Sequence, residues 1–319
     1  MRPGLPPGFV AAMFIVLACL PLAAARWSGI EPAGPLQELA TGLGMMAAAL
    51  ILLQFLSSGR YELFSARLGI DRMMGFHRIS AFALIAFAVL HPLAYVLATA
   101  VVDPDAAWSR LTAMVASPRL RSGLIALIGT AGLILFAVFR EHWKVRYETW
   151  RAMHSIIAVA ITVLVLHHAM TVGTYSAEKP VGIVWAVLAF LALVAITTVY
   201  VVRPWRMLRE RWVVTRAAPS GSGSWEIALR GPDETHFNFE PGQFVWISIA
   251  PHKPPFHDHP FSIASSPADL PELRLIVRAS GDCTCTFGRI VAGTPVAIDG
   301  PHGSFVLDAG TPRVLFVAG

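Results

Sequence analysis

Apolar residues run almost without interruption near 8–26, 37–56, 74–101, 121–139, 152–172 and 181–202. Each run is long enough to cross a hydrocarbon layer, since about 30 Å of thickness takes roughly 20 helical residues. The pattern therefore predicts six membrane-spanning helices. The first run follows Arg2 and ends in the alanines at 23–25, so it also fits a cleavable signal peptide. The later topology is the same in either case, and a retained helix is expected.

Beyond Arg203 the pattern changes. The basic stretch RPWRMLRERW leads into short β-rich segments, SWEIALRG, GQFVWISIA, HPFSIASS, ELRLIVRAS and TPVAIDG, separated by Pro, Gly and Asp turns. Alternation at this spacing predicts a small antiparallel barrel. The expected fold class is an all-α membrane bundle of six helices followed by a small antiparallel β-barrel. Residues 1–202 form the membrane domain, 203–212 a basic linker, 213–309 the barrel and 310–319 the start of a further element.

The net charge of +5 raises nucleic-acid binding as an alternative, and the placement of the charge argues against it. Lys and Arg sit mainly in short segments between apolar runs. Arg60, Arg67, Arg72, Arg78, Arg140, Lys144, Arg146, Arg151, Arg203, Arg206, Arg209, Arg211 and Arg216 fall on one side, against Arg26, Arg110, Arg119, Arg121 and Lys179 on the other. A bias of 13 to 5 puts the first set, and the barrel with it, in the cytoplasm, as expected of a multi-pass protein of the inner (plasma) membrane. Three cysteines, with Cys19 in an apolar run and Cys283 and Cys285 in the polar part, make no disulfide framework.

The candidate chemistry begins with histidines inside spans, where ionisable groups are rare and commonly functional. In GFHRISAFALIAFAVLHPLAYV, His77 and His91 are 14 residues apart. At 3.6 residues per turn they share a face, roughly 21 Å apart along the axis. His154 lies 13 residues before His167 and 14 before His168 on another span running the same way. Inner histidine thus faces inner, and outer faces outer. Two haems stacked across the membrane, each iron held by one imidazole from each helix, suit this geometry. An ideal helix leaves His168 about 40° and His167 about 140° from His154, which favours His168 unless a bulge intervenes. Arg78 and Arg151 are candidates to pair with haem propionates, or serve only as topology-setting charge.

In DHPFSIASSP, an extended run with Ser262 beside Phe261 can present a hydroxyl and backbone N–H groups to a flavin edge. VRASGDCT adds Arg278, Gly281 and Thr284, parts able to hold a pyrophosphate. With these pieces in this order, the chain resembles the ferric reductase and NADPH oxidase family over nearly all of residues 40–319. The resemblance rests on GFHR with His77, His91, WRAMH with His154, LHH at 166–168, PGQF at 241–244, HPFSI at 259–263, VRASGD at 277–282 and DGPHG at 299–303.

The resemblance implies two haem b groups on His77, His91, His154 and His167, the last against ideal geometry. It also implies FAD held by a ferredoxin-reductase-type barrel through His259, Pro260, Phe261, Ser262 and Ile263, with Arg278, Gly281 and Thr284 at its phosphates. Cys283 stands where an aromatic, and His302 where a tyrosine, is usual. Both cysteines are expected to be small packing residues beside the flavin.

TPRVLFVAG looks like the first strand and glycine of a nicotinamide nucleotide domain, whose phosphate-binding loop should follow. A shortened sequence is expected, or else a separate polypeptide supplies the donor domain. The expected function is an oxidoreductase passing electrons from NAD(P)H through FAD and two haems to a ferric chelate or dioxygen outside. The alternative is a non-enzymatic haem-carrying membrane subunit reduced by a separate reductase. Beside that reductase, the partners expected are the lipid bilayer and the acceptor, with no nucleic acid.

Overall fold

The computed structural model describes residues 5–61, 64, 68–221, 223–233, 237–250, 257–281, 283–303 and 305–306. The segment 310–319, read above as the start of a nucleotide domain, lies outside the described residues, as does Asp282. The chain divides into two compact units, Met1–Thr197 and Thr198–Gly319.

The first unit is helical: α1 (Pro7–Trp27), α2 (Pro35–Leu53), α3 (Ile70–Val102), the short α4 (Ala106–Ala116), α5 (Arg121–Val138), α6 (Tyr147–Val172) and α7 (Lys179–Thr197). Among the described residues, six helices are long and apolar enough to cross a membrane: Pro7–Trp27, Pro35–Leu53, Ile70–Val102, Pro118–Val138, Tyr147–Val172 and Lys179–Arg209. All six expected spans are present. Half of the α2 span is buried but only 11% of the α6 span, so α2 is the central post of this unit. It packs against α1, α3, α6 and α7. Its run of alanines, with Ala47, Ala48 and Ala49 all buried, permits that closeness, because small side chains let helix backbones approach.

In the second unit, α8 (Arg203–Arg209) precedes β1 (Trp212–Pro219), β2 (Ser224–Arg230), β3 (Phe244–Ile249), β4 (His259–Ser262), β5 (Glu272–Arg278) and β6 (Pro295–His302). The stretch read as a basic linker is thus helical over Arg203–Arg209, and β1 is a strand whose beginning had been assigned to that linker. The order is β4-β3-β6-β1-β2-β5, with every pairing antiparallel. Among the described residues the two edges meet only at an isolated bridge, Ile263 with Leu275, supported by the Ala264 N–H donating to the Arg274 carbonyl at 2.8 Å. The expected barrel is therefore a six-stranded antiparallel sheet whose edges touch without a closing ladder.

Alternate residues point inward. Trp212, Val214, Ile227, Leu229, Val245, Ile247, Leu273, Leu275 and Phe287 make one apolar core. Trp212 is fully buried and stands edge-on to Phe237, their centroids 5.4 Å apart. Replacing Trp212 by alanine is expected to cost about 3–5 kcal/mol, because the side chain leaves a cavity the sheet cannot close. The urea dependence of protease cleavage within the sheet unit measures it, and a loss below about 1 kcal/mol would contradict this packing.

Arg203, at the start of α8, makes an ion pair with Asp299 of β6. The Nε2 of His302 lies 3.2 Å from the Arg203 guanidinium and 3.0 Å from the Asp299 carboxylate. That nitrogen can serve only one of them: deprotonated it accepts from arginine, protonated it donates to aspartate. All three side chains are largely buried, which ties the basic helix to the sheet.

Candidate functional site

Four histidines meet inside the helical unit in two pairs. His77 of α3 and His154 of α6 lie near enough to interact electrostatically, and so do His91 of α3 and His168 of α6. His167 does not join a pair. It is exposed and lines a hollow between the beginning of α5 and the end of α6. Ideal helix geometry favoured His168 and the resemblance His167, and the local backbone places His168 rather than His167 beside His91. Residues 147–172 form α-helix throughout, with no bulge, so the 14-residue spacing governs and turns His168 inward.

Helix α2 orients both histidines of α3. The Nδ1 of His91 lies 2.7 Å from the Ala40 carbonyl. A carbonyl only accepts, so Nδ1 carries the proton and Nε2 keeps its lone pair. Around His77, the Ser57 hydroxyl donates to the Gln54 carbonyl or side-chain oxygen (3.1 Å each) and lies 3.2 Å from His77 Nδ1. A hydroxyl that donates to Gln54 accepts from Nδ1, which again leaves Nε2 free. Gln54 Nε2 also donates to the His77 carbonyl at 3.3 Å.

Two glycines make room for the outer rings. A Cβ at Gly44 would come 2.6 Å from His91 Nδ1, and one at Gly123 would come 2.6 Å from His168. On α6, the Trp150 ring lies 5.3 Å from that of His154, and the Nδ1 atoms of His154 and His168 are buried without a hydrogen-bond partner. Among the described residues no three His, Cys, Asp or Glu side chains converge as a metal cage. The pairs offer something else: two neighbouring imidazoles, one from α3 and one from α6, at each of two levels along these helices.

Arg151 is buried, with its guanidinium 5.9 Å from the Tyr147 ring centre, whereas Arg78 is exposed.

In the sheet unit, β4 pairs with β3, placing Ser262 opposite Phe244, Phe261 opposite Val245, Pro260 opposite Trp246 and His259 opposite Ile247. Pro260 and Ser262 face outward, while His259, Phe261 and Ile263 are half-buried, and Phe261 packs on Phe287 at 5.6 Å. The segment after β4 is fixed by Ser265, whose hydroxyl accepts from the Arg274 N–H at 3.1 Å, and by Asp269, which accepts from the Arg274 guanidinium at 2.7 Å. That guanidinium holds the Asp269 carboxyl below its ordinary range.

Arg278 ends β5 and is exposed. The turn after it differs from the expectation of free backbone donors. The N–H groups of Ser280 and Gly281 donate to the Thr284 hydroxyl at 3.1 and 3.0 Å, so Thr284 closes the turn on itself. Cys283 packs against the sheet core, but Cys285 is exposed.

Sequence reasoning missed the α2 polar cluster, the two glycines and the Arg203–Asp299–His302 network. Only DGPHG, with its unusual histidine, carried a signal for any of them.

Residues 43–165 match the family described as ferric reductase like transmembrane component, and residues 222–305 match the one described as FAD-binding domain. The first region holds His77, His91 and His154. The two regions together define a membrane oxidoreductase carrying a FAD-binding domain. Ferric reductase transmembrane component 4 of Saccharomyces cerevisiae is 28% identical over 213 residues, 61% of this chain and 26% of that protein. Over 115 residues, 35% of this chain and 44% of the relative, it is 29% identical to the electron transfer subunit of dihydroorotate dehydrogenase B (NAD(+)) from Bacillus mycoides. The chain spans 26% and 44% of the lengths of these two relatives. A crystal structure of flavohemoglobin from Malassezia yamatoensis with bound FAD and heme aligns with 92% of this chain and 63% of its own, at 11% identity and a TM-score of 0.32, too slight a likeness to argue from. Both matched regions and the yeast relative bear out the resemblance to the ferric reductase and NADPH oxidase family.

Proposed function

We propose that this protein carries electrons from a cytoplasmic NAD(P)H-reduced flavin across the plasma membrane to an acceptor outside, a ferric chelate or dioxygen. The observation that carries the reading is the meeting of His77 with His154 and of His91 with His168 at two depths. The residues fit haem b: Nδ1 of His91 is committed to a backbone carbonyl, so Nε2 can face an iron, and Gly44 and Gly123 leave space for the outer rings. Flavin accepts a hydride's two electrons and releases them singly, and haem iron then carries one at a time.

The chain's own part is to position and insulate. Ala40 and Ser57 hold the α3 imidazoles in one tautomer, and the apolar spans keep water away. Buried Arg151 at the cytoplasmic end of α6 is placed to neutralise a propionate. In the sheet unit, outward-facing Ser262 presents its hydroxyl to the FAD ring beside His259, Pro260, Phe261 and Ile263, and Arg278 its charge to the pyrophosphate, while Gly281 and Thr284 only shape the turn beside it. Arg278→Ala is expected to weaken FAD binding about tenfold or more, the loss of one charge-assisted bond. Flavin fluorescence titration measures this, and an unchanged affinity would remove Arg278 from the site.

The 13-to-5 excess of Lys and Arg supports a cytoplasmic flavin domain. The proposed division is a membrane domain over 1–202, the basic helix, and a flavin domain over 213–309, with NAD(P)H acting through a nucleotide domain that begins near 310 or through a separate reductase. Proteoliposomes loaded with ferricyanide and given dithionite outside test the reading. Internal ferricyanide should bleach faster than in protein-free vesicles, and equal rates would overturn it.

A further inference from the structure

The hollow between the first turns of α5 and the last turns of α6 has no part in the function proposed above, and neither has His167. It encloses about 500 Å³. Arg119, Arg121, Ser122 and Ile125 line one side, Val163 and His167 the other. Both guanidiniums are exposed, and neither has a hydrogen bond or ion pair among the described residues. The Ser122 hydroxyl is buried without a partner. Two unneutralised positive charges sharing one hollow repel each other, and an anion with several oxygens removes that cost by accepting from both. His167 adds an imidazole N–H at the rim. It is the sequence neighbour of His168, and Gly123, next to Ser122 of the lining, lies against the His168 ring, so the hollow borders the outer pair on the α5 side.

We propose that this hollow is the acceptor site and that it takes an anionic ferric chelate, whose carboxylate oxygens engage Arg119 and Arg121 while His167 donates to the same ligand. The proposal rests on the electron-transfer reading and names its acceptor: a negatively charged chelate, favoured over neutral dioxygen by the two arginines. The transfer is one electron. The chelated iron would go from ferric to ferrous at the expense of one electron supplied by a haem held at the outer pair, and no covalent bond or proton would be exchanged.

The test uses the whole chain in phosphatidylcholine nanodiscs, with gallium(III) citrate as a redox-inert probe. Gallium citrate should shield His167 from diethyl pyrocarbonate, read by peptide mass spectrometry, in the parent protein and not in R119Q/R121Q. Exposed His142 serves as the unshielded control. In stopped flow, the double variant should slow reoxidation of pre-reduced protein by ferric citrate at least about tenfold more than by dioxygen, and the parent's salt dependence should disappear. Equal shielding in both proteins, no shielding in either, or equal slowing with both acceptors overturns the site. A parent protein without haem would sink the electron-transfer reading instead, and the shielding experiment would still decide whether the hollow binds the anion.

Discussion

Alanine at His77 or His154 is expected to yield a protein with one haem b where two are predicted for the parent, and with electron flow to an outside acceptor at the protein-free baseline. The reason is geometric. A haem at the inner level would be held by one nitrogen from α3 and one from α6, and His77 and His154 are the pair that meets there. The polar cluster of Gln54, Ser57 and Ser80 orients His77 but offers no imidazole in its place. Haem content per polypeptide and the low-spin signal of the variants measure the effect. A full complement in either variant would remove the inner pair from the account.

The second large effect separates two adjacent residues. His168→Ala should lose the outer haem, and His167→Ala should keep both. Along the unbroken helix from Tyr147 to Val172, His168 falls about 40° from the face of His154, and His167 about 140° away. Bringing His167 inward would require an inserted residue or a π-bulge, and residues 147–172 contain neither. The tight approach of Gly123 to the His168 ring gives an independent check, because leucine at 123 would drive that ring from its place. Loss of the outer haem in His167→Ala with retention in His168→Ala would reverse the assignment.

These two adjacent histidines also show where the sequence was a sufficient guide. Periodicity alone pointed to His168, while the family resemblance pointed to His167, and the regular backbone brings His168 beside His91. The spans were legible because twenty-residue apolar runs have no other stable destination than lipid. The ends were less so. Helix α3 begins at Ile70 rather than 74, since its first turn carries Asp71 and Arg72 and leaves the apolar run before it leaves the helix.

In the second unit, five strands announced themselves by alternation and turns. The sixth, Trp212–Pro219, did not, because Arg211 and Arg216 continue the basic run and mask the buried Trp212 and Val214. What could not be read was anything that depends on two distant segments meeting. Ala40 is 51 residues from His91, and Arg203 is 99 from His302. Likewise Thr284 offered a phosphate ligand on paper, yet its hydroxyl is occupied by its own turn.

The most direct measurement is the haem b content of the purified full chain, quantified as the pyridine haemochrome against polypeptide concentration and read beside its reduced-minus-oxidised spectrum. Two low-spin haems per chain are predicted, one for each histidine pair. A protein that takes up none, or only one, when supplied with excess haem would contradict the arrangement.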